Sequence, residues 1–329
     1  MNDRLDIYES FDTYHPKMAE IIKNMNQVMI GKNEIIELVL VAVMSGGHVL
    51  LEDVPGVGKT MLVRSLARSL GCEFKRIQFT PDLLPSDVTG VSIYNQRELD
   101  FEFREGPIFG NIILADEINR TSPKTQSALL EAMEESNITV DGETRPLPSP
   151  FNVIATQNPI EYEGTFPLPE AQLDRFLLKL RMGYPTMDEE IEVLSRAQES
   201  HPIEKITPVI GLQELQELQK EVRKVHIESS MKDYIVRLTH ATREHPAVYL
   251  GASPRGSLAL LRASQALALI RGRDYVVPDD IKRLAPYTLE HRIILKSESR
   301  LSGATAQRVI EEILQNQRVP ILREPAPRR

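Results

Sequence analysis

Tryptophan is absent from these 329 residues, and cysteine occurs once, at Cys72. A lone cysteine excludes an intrachain disulfide and a cysteine-built zinc site, and Cys72 reads as a small buried residue opening a strand. No apolar run approaches the ~18 residues that a membrane-spanning helix needs. The opening stretch MNDRLDIYESFD is acidic and polar where a secretory leader would be basic and then apolar. The expectation is a cytoplasmic protein without membrane insertion. Positive charge is not in excess either: the net charge is −8, with 17 basic and 27 acidic side chains in residues 1–185 against 22 and 20 in residues 186–329. An acidic larger module argues against counterion-driven nucleic-acid binding, and no interleaving of aromatic and basic residues offsets it. Repeats at solenoid periods are missing as well.

What is present is the balance of an ordinary globular chain, 41% hydrophobic and 26% charged, at a length that suits about two domains. Residues 1–185 alternate short apolar strands with helical patterns, which predicts an α/β domain with a parallel five-stranded sheet flanked by helices. The candidate strands are 48–52, 74–79, 111–115, 151–156 and 175–180. Between them, Ile35, Val39 and Val43 lie on a helix that stops at Gly46-Gly47, and Ser122-Pro123 starts the helix carrying Leu129, Leu130 and Met133. The alternating runs VSIYN and LDFEF within 86–110 read as a hairpin, and ITV followed by DGET reads as a second one turning at Asp141-Gly142. After Tyr184-Pro185 the pattern changes. Thr186 and Glu189 form a capping box, and helices alone are expected through Asn316, making 186–329 a smaller all-α lid with a frayed REPAPRR tail.

The stretch HVLLEDVPGVGKT runs a buried strand into a glycine-rich turn and then a helix. Backbone N–H groups in such a turn, and the positive end of the helix behind it, point at anionic oxygens. Gly56, Val57 and Gly58 form the turn, Lys59 can reach β- and γ-phosphates, Thr60 can ligate Mg²⁺, and Met61 follows in the helix. One position departs from the phosphate-loop pattern: Asp53 stands where glycine is usual, in a residue type that tolerates left-handed backbone. Downstream, NIILADEINR ends an apolar strand in Asp116-Glu117 at the carboxyl edge of the sheet, where α/β proteins bind ligands. Asp116 suits a Mg²⁺ carboxylate and Glu117 a base for the attacking water. FNVIATQN brings Asn158 to the same edge, either as a turn residue or as an amide that positions the water or reports on the γ-phosphate. ATP and Mg²⁺ are the expected cofactors.

With these elements in order, the chain resembles the MoxR family of AAA+ ATPases over nearly all of residues 20–320. GHVLLEDVPGVGKT, ADEINRTSPKTQSALLEAMEE and FNVIATQNPIEYEGTFPLPEAQLDRF are the segments that carry the likeness. The resemblance implies a helix-2 insertion, here 86–110, and an adenine pocket near Met29, Ile30 and Gly31. It implies an arginine finger at Arg175, reaching a neighbouring subunit, and a second sensor at Arg255, each of which a surface salt bridge would also explain; for Arg175 the adjacent Asp174 is the obvious partner. It further implies a homo-oligomeric ring, expected to be a hexamer, that remodels a protein client. The client expected is a von Willebrand A domain protein, with metal insertion or complex maturation as the outcome. Two rivals are weighed against it. A nucleic-acid motor conflicts with the acidic module, and a monomeric metabolic kinase conflicts with the helical second domain and the arginine of LDRF. Guanine specificity lacks its Asn-Lys-x-Asp motif.

Overall fold

In the computed structural model, residues 14–158, 165–199 and 202–320 are described; the acidic opening, most of the NPIEYEG stretch and the REPAPRR tail lie outside them. Two helices, α1 (Pro16–Met25) and α2 (Asn33–Met44), lead into strand β1 (Val49–Glu52) and helix α3 (Lys59–Ser69). Strand β2 (Phe74–Gln78) is followed by the short helix α4 (Pro85–Thr89) and the hairpin β3 (Gly90–Asn95) and β4 (Asp100–Glu105). Then come β5 (Ile112–Asp116), α5 (Pro123–Glu135), the hairpin β6 (Asn137–Val140) and β7 (Glu143–Pro146), and β8 (Asn152–Gln157). A single-turn helix α6 (Glu170–Leu173) precedes the last core strand β9 (Leu178–Leu180).

Five strands pair in parallel in the order β2-β5-β8-β1-β9. Their residues are apolar on both sides because both faces are covered, as parallel sheets require. Val49, Leu51, Ile112 and Leu114 face one layer, while Leu50, Ile113, Ala115 and Val153 face the other. In α2 every residue from Ile35 to Met44 is buried, the mark of a helix enclosed on all sides. It lies between the sheet and the second domain, and one hydrophobic cluster runs continuously from β1 through α2 into the lid.

The second domain comprises α7 (Met187–Glu199), α8 (Leu212–Val222), α9 (Ser229–Glu244), α10 (Pro254–Ile270), α11 (Pro278–Leu289), α12 (Ser297–Leu301) and α13 (Ala306–Asn316). Among its described residues it is helical apart from a parallel bridge between His226 and Tyr275 and one short strand pair. Pro246 forces His245 into an extended conformation and ends α9 there, after which β10 (Val248–Leu250) pairs antiparallel with β11 (Ile294–Leu295). Strands this short carry no readable periodicity. The core strand expected from Arg175 also starts later: Arg175 N–H bonds the Gln172 carbonyl (3.2 Å) and Phe176 N–H that of Leu173 (3.1 Å), so the α6 turn persists to Phe176. Cys72 is half-buried in the turn before β2, and burial pushes its thiol up to about 12.

Candidate nucleotide site

At the carboxyl edge of β1 the chain turns through Gly56 and Gly58, whose φ angles of +86° and +94° lie where a side chain would strain the backbone. Val57 between them packs its side chain on the core, so it serves the loop through its backbone. Lys59 and Thr60 open α3, whose first N–H groups have no partner within the helix, the arrangement that suits an anion. Gly56, Gly58, Lys59, Thr60 and Met61 line this cleft together with Asp116, Glu117 and Asn158. Lys59 is folded back on its own loop, donating to the carbonyls of Asp53 (2.9 Å) and Val54 (3.3 Å). Burial lowers its pKa, although Asp53, Asp116 and Glu117 act in the opposite direction.

The two carboxylates that end β5 are held differently. Asp116 accepts from Thr156 Oγ1 at 2.6 Å and from Arg76 at 2.7 Å. Glu117 sits in left-handed backbone (φ +57°), an uncommon conformation for a non-glycine residue that is frequent at functional sites. Its N–H donates to Thr156 Oγ1 (2.8 Å), so one threonine on β8 fixes both neighbours. Glu117 Oε2 accepts from Gln78 (2.9 Å) and from Arg120 (3.2 Å). Asn158 follows β8 directly and is 6% exposed; its carbonyl accepts from Asn119 (3.4 Å).

Arg76, Gln78 and Thr156 were not anticipated. The signal was available for two of them: Arg76 and Gln78 stand two apart on β2, hence on one face, and Gln78 is in register with Asp116. Ile30 and Gly31 lie in the α1–α2 connection, outside the residues that line the cleft. The preceding residue bridges the gap: Met29 Cε comes within 3.8 Å of where a Cβ on Gly58 would stand.

Arg175 and Arg255 are not in this cleft. They meet at Glu134, near the end of α5: Arg175 Nε lies 3.0 Å from Glu134 Oε2, and Arg255 pairs with Oε1. Asp174 is engaged elsewhere, by Arg292 (2.7 Å) and Ser253 (2.9 Å), so Arg175 does not take its sequence neighbour. The two arginines, with Arg262, line a separate depression where the core meets α10.

A parallel sheet with its phosphate loop after β1, paired acids after β5, and a helical second domain define an ATPase of the AAA+ class. Residues 48–178 match the "ATPase family associated with various cellular activities (AAA)", and residues 240–313 match the "AAA lid domain". The chain is 61% identical over 309 residues to the uncharacterized protein YeaC of Bacillus subtilis, covering 94% of this chain and 97% of that one. It is 44% identical to chaperone MoxR1 of Mycobacterium tuberculosis, covering 92% and 82%. A solved structure of a candidate ATPase from Cytophaga hutchinsonii superposes with a TM-score of 0.88 at 43% identity, over 93% of this chain and 95% of that one. This chain belongs to the MoxR family of AAA+ ATPases.

Proposed function

We propose that the chain binds ATP with Mg²⁺ in the cleft between the phosphate loop and the Asp116-Glu117 edge, and that efficient hydrolysis requires a second copy to supply Arg175. The observation that carries this reading is the division of charged groups: Lys59, Thr60, Asp116 and Glu117 share one cleft, while Arg175 and Arg255 share Glu134 outside it. The N–H groups of 56–61 and Lys59 hold the triphosphate, with the adenine toward Ile30 and Gly31. Thr60 with its hydroxyl and Asp116 with its carboxylate, the latter through water, are the oxygen groups that would hold Mg²⁺. When bound, the ion neutralises charge on the β- and γ-phosphate oxygens. Glu117 gives up Gln78 to accept the proton of the attacking water, and Asn158 orients that water. Arg175 leaves Glu134 for the γ-phosphate of a neighbouring subunit, and Arg255, released with it, acts as the second sensor.

This requires a homo-oligomeric ring, which we take to be a hexamer. Similarity to a protein named as a chaperone supports a chaperone-like use of turnover. We extend this to remodelling of a protein client bearing a von Willebrand A domain, leading to metal insertion or complex maturation. No described helix is long and apolar enough to cross a membrane, in keeping with a cytoplasmic setting. Glu117→Gln keeps the side-chain shape without the base, so it should bind ATP at parental affinity and hydrolyse it roughly 10²- to 10⁴-fold more slowly. Captured with ATP, that variant should retain its client. Parental turnover by Glu117→Gln would remove Glu117 from its role and this reading with it.

A further inference from the structure

Position 53, where the phosphate-loop pattern has glycine, carries a carboxylate that is 8% exposed. Its orientation is away from the loop's concave side. Asp53 Oδ2 accepts from the backbone N–H of Met182 and from that of Gly183 (3.0 Å), and Oδ1 accepts from Val54 N–H (3.2 Å). Met182 and Gly183 belong to the connection between β9, the last core strand, and α7, the first helix of the lid. Gly183 has φ +64°, so the chain bends here in backbone that a side chain would strain. The carbonyls of the same bend are held by another cation: Lys32 Nζ donates to Met182 (2.9 Å), Gly183 (3.4 Å) and Tyr184 (3.2 Å).

Lys32 caps α2, and its loop is tied to the lid by further contacts. Arg196 on α7 donates to the carbonyls of Asn26 (3.2 Å) and Gln27 (2.9 Å). Glu189, in the capping box that starts α7 with Thr186, packs so closely on Gly31 that a Cβ there would lie 1.8 Å from its Oε1. The bend between the domains is therefore gripped at its amides by the phosphate loop and at its carbonyls by the α1–α2 loop. On the cleft side, Lys59 donates to the Asp53 carbonyl at 2.9 Å.

We infer that Asp53 is a positioning residue that couples phosphate binding to the orientation of the lid, by clamping the Met182–Gly183 amides to the phosphate loop. A phosphate draws Lys59 off the Asp53 carbonyl. The residue that loses this bond is the one whose carboxylate holds the bend, so the loop's adjustment is passed to α7 rather than absorbed locally. This rests on the nucleotide reading above in one respect, that an anion recruits Lys59. Replacing Asp53 by the usual glycine restores the standard loop and releases the clamp; asparagine keeps an acceptor oxygen for both amides and removes the charge together with the acceptor of the Val54 N–H.

The test uses the full chain with Cys72→Ser and a donor–acceptor dye pair at Ser127→Cys on α5 and Lys232→Cys on α9, both exposed positions. AMP-PNP with Mg²⁺ is titrated while binding and energy transfer are read separately. The parent should bind and change its transfer efficiency. Asp53→Gly should bind within about threefold of the parent yet lose most of the transfer change, Asp53→Asn should restore it, and Lys32→Met should weaken it without touching the phosphate loop. A full transfer change in Asp53→Gly overturns the inference, as does its loss in Asp53→Asn. A tenfold or greater gain in affinity for Asp53→Gly with the transfer change intact would show that the carboxylate acts on the phosphates directly. Should Asp53→Gly fail to fold, Asp53→Ala, which likewise lacks the acceptor oxygens, takes its place: an intact transfer change refutes the clamp and a lost one supports it. A parent that binds no AMP-PNP would instead refute the nucleotide reading.

Discussion

The cleft below the phosphate loop and the depression around Glu134 differ in almost every respect except one. The first gathers acids, an amide and a lysine at the carboxyl edge of the sheet; the second gathers arginines on the flank where α5 meets α10. What they share is that their charges are provisionally answered from within the chain. Asp116 holds Arg76, Lys59 holds its own loop carbonyls, and a single carboxylate, Glu134, answers both Arg175 and Arg255. Each region thus has the form of half a site. An ammonium spread over two carbonyls, and two guanidiniums sharing one half-exposed carboxylate, are contacts that a triphosphate can outcompete with charge-assisted bonds.

If the halves complement each other across a subunit boundary, the largest effect falls on the arginine half. Arg175→Ala should bind ATP normally and lose roughly 10³- to 10⁵-fold in turnover, the range for a cation that stabilises charge on the transferring phosphoryl group. Single-turnover kinetics beside a nucleotide titration would read the two separately. Arg255→Ala should cost less, roughly 10- to 100-fold, the equivalent of one charge-assisted hydrogen bond. Weakened binding with unchanged turnover in either variant would break the comparison, because it would make that arginine a ligand of the ground state.

Arg76 sharpens the acidic half. It is a half-exposed cation on the carboxylate proposed for Mg²⁺, so Arg76→Ala should lower the Mg²⁺ concentration for half-maximal turnover by about 2- to 5-fold, in keeping with ~0.5–1 kcal/mol for such a pair. A rise in that concentration would mean that Arg76 aligns Asp116 rather than competing for it.

The last expected effect concerns stability and is confined to acid. His48, fully buried beside the arginine depression, donates from Nε2 to the Met133 carbonyl (2.9 Å) while Nδ1 accepts from Val153 N–H (2.9 Å). Donating at Nε2 while accepting at Nδ1 requires the neutral ring, and burial lowers its pKa from 6.5 to about 4. Between those values the unfolded chain binds more protons than the folded one, so stability is complete above about pH 6.5 and falls as pH drops toward 4. The loss from this residue is on the order of 3 kcal/mol. Urea titrations at about pH 7.5, 5.5 and 4.5 should show it, and a flat profile would contradict the neutral assignment.

The acidic half was largely legible in the sequence, because a phosphate loop and a strand-terminal Asp-Glu pair are local patterns whose chemistry follows from adjacent residues. The sheet was legible for the same reason, each strand being a short apolar run between turn signals. What lay hidden was assembled from distant segments. Glu134 sits in ALLEAMEE among other helix acids and looks like a solvated face until Arg175 and Arg255 arrive from 41 and 121 positions away. Asp53 looked like a blemish in a glycine-rich turn, and only the fold brings the Met182 and Gly183 amides to its carboxylate. Asp174 is the partner that a simple surface salt bridge for Arg175 would have used, but Arg292 of the lid takes that carboxylate, a contact 118 residues apart that no local pattern records.

The direct test of two halves making one site is complementation. Arg175→Ala retains the cleft and lacks the finger, whereas Lys59→Ala retains the finger and cannot hold ATP. Alone, each should be nearly inactive. Mixed, and shown to assemble together by co-purification through a tag carried on only one of them, they should recover ATP hydrolysis well above the sum of the separate preparations, because some boundaries then pair an intact Arg175 with an intact Lys59. Proven co-assembly with activity no greater than that sum would contradict the account and return Arg175 to a role within its own chain.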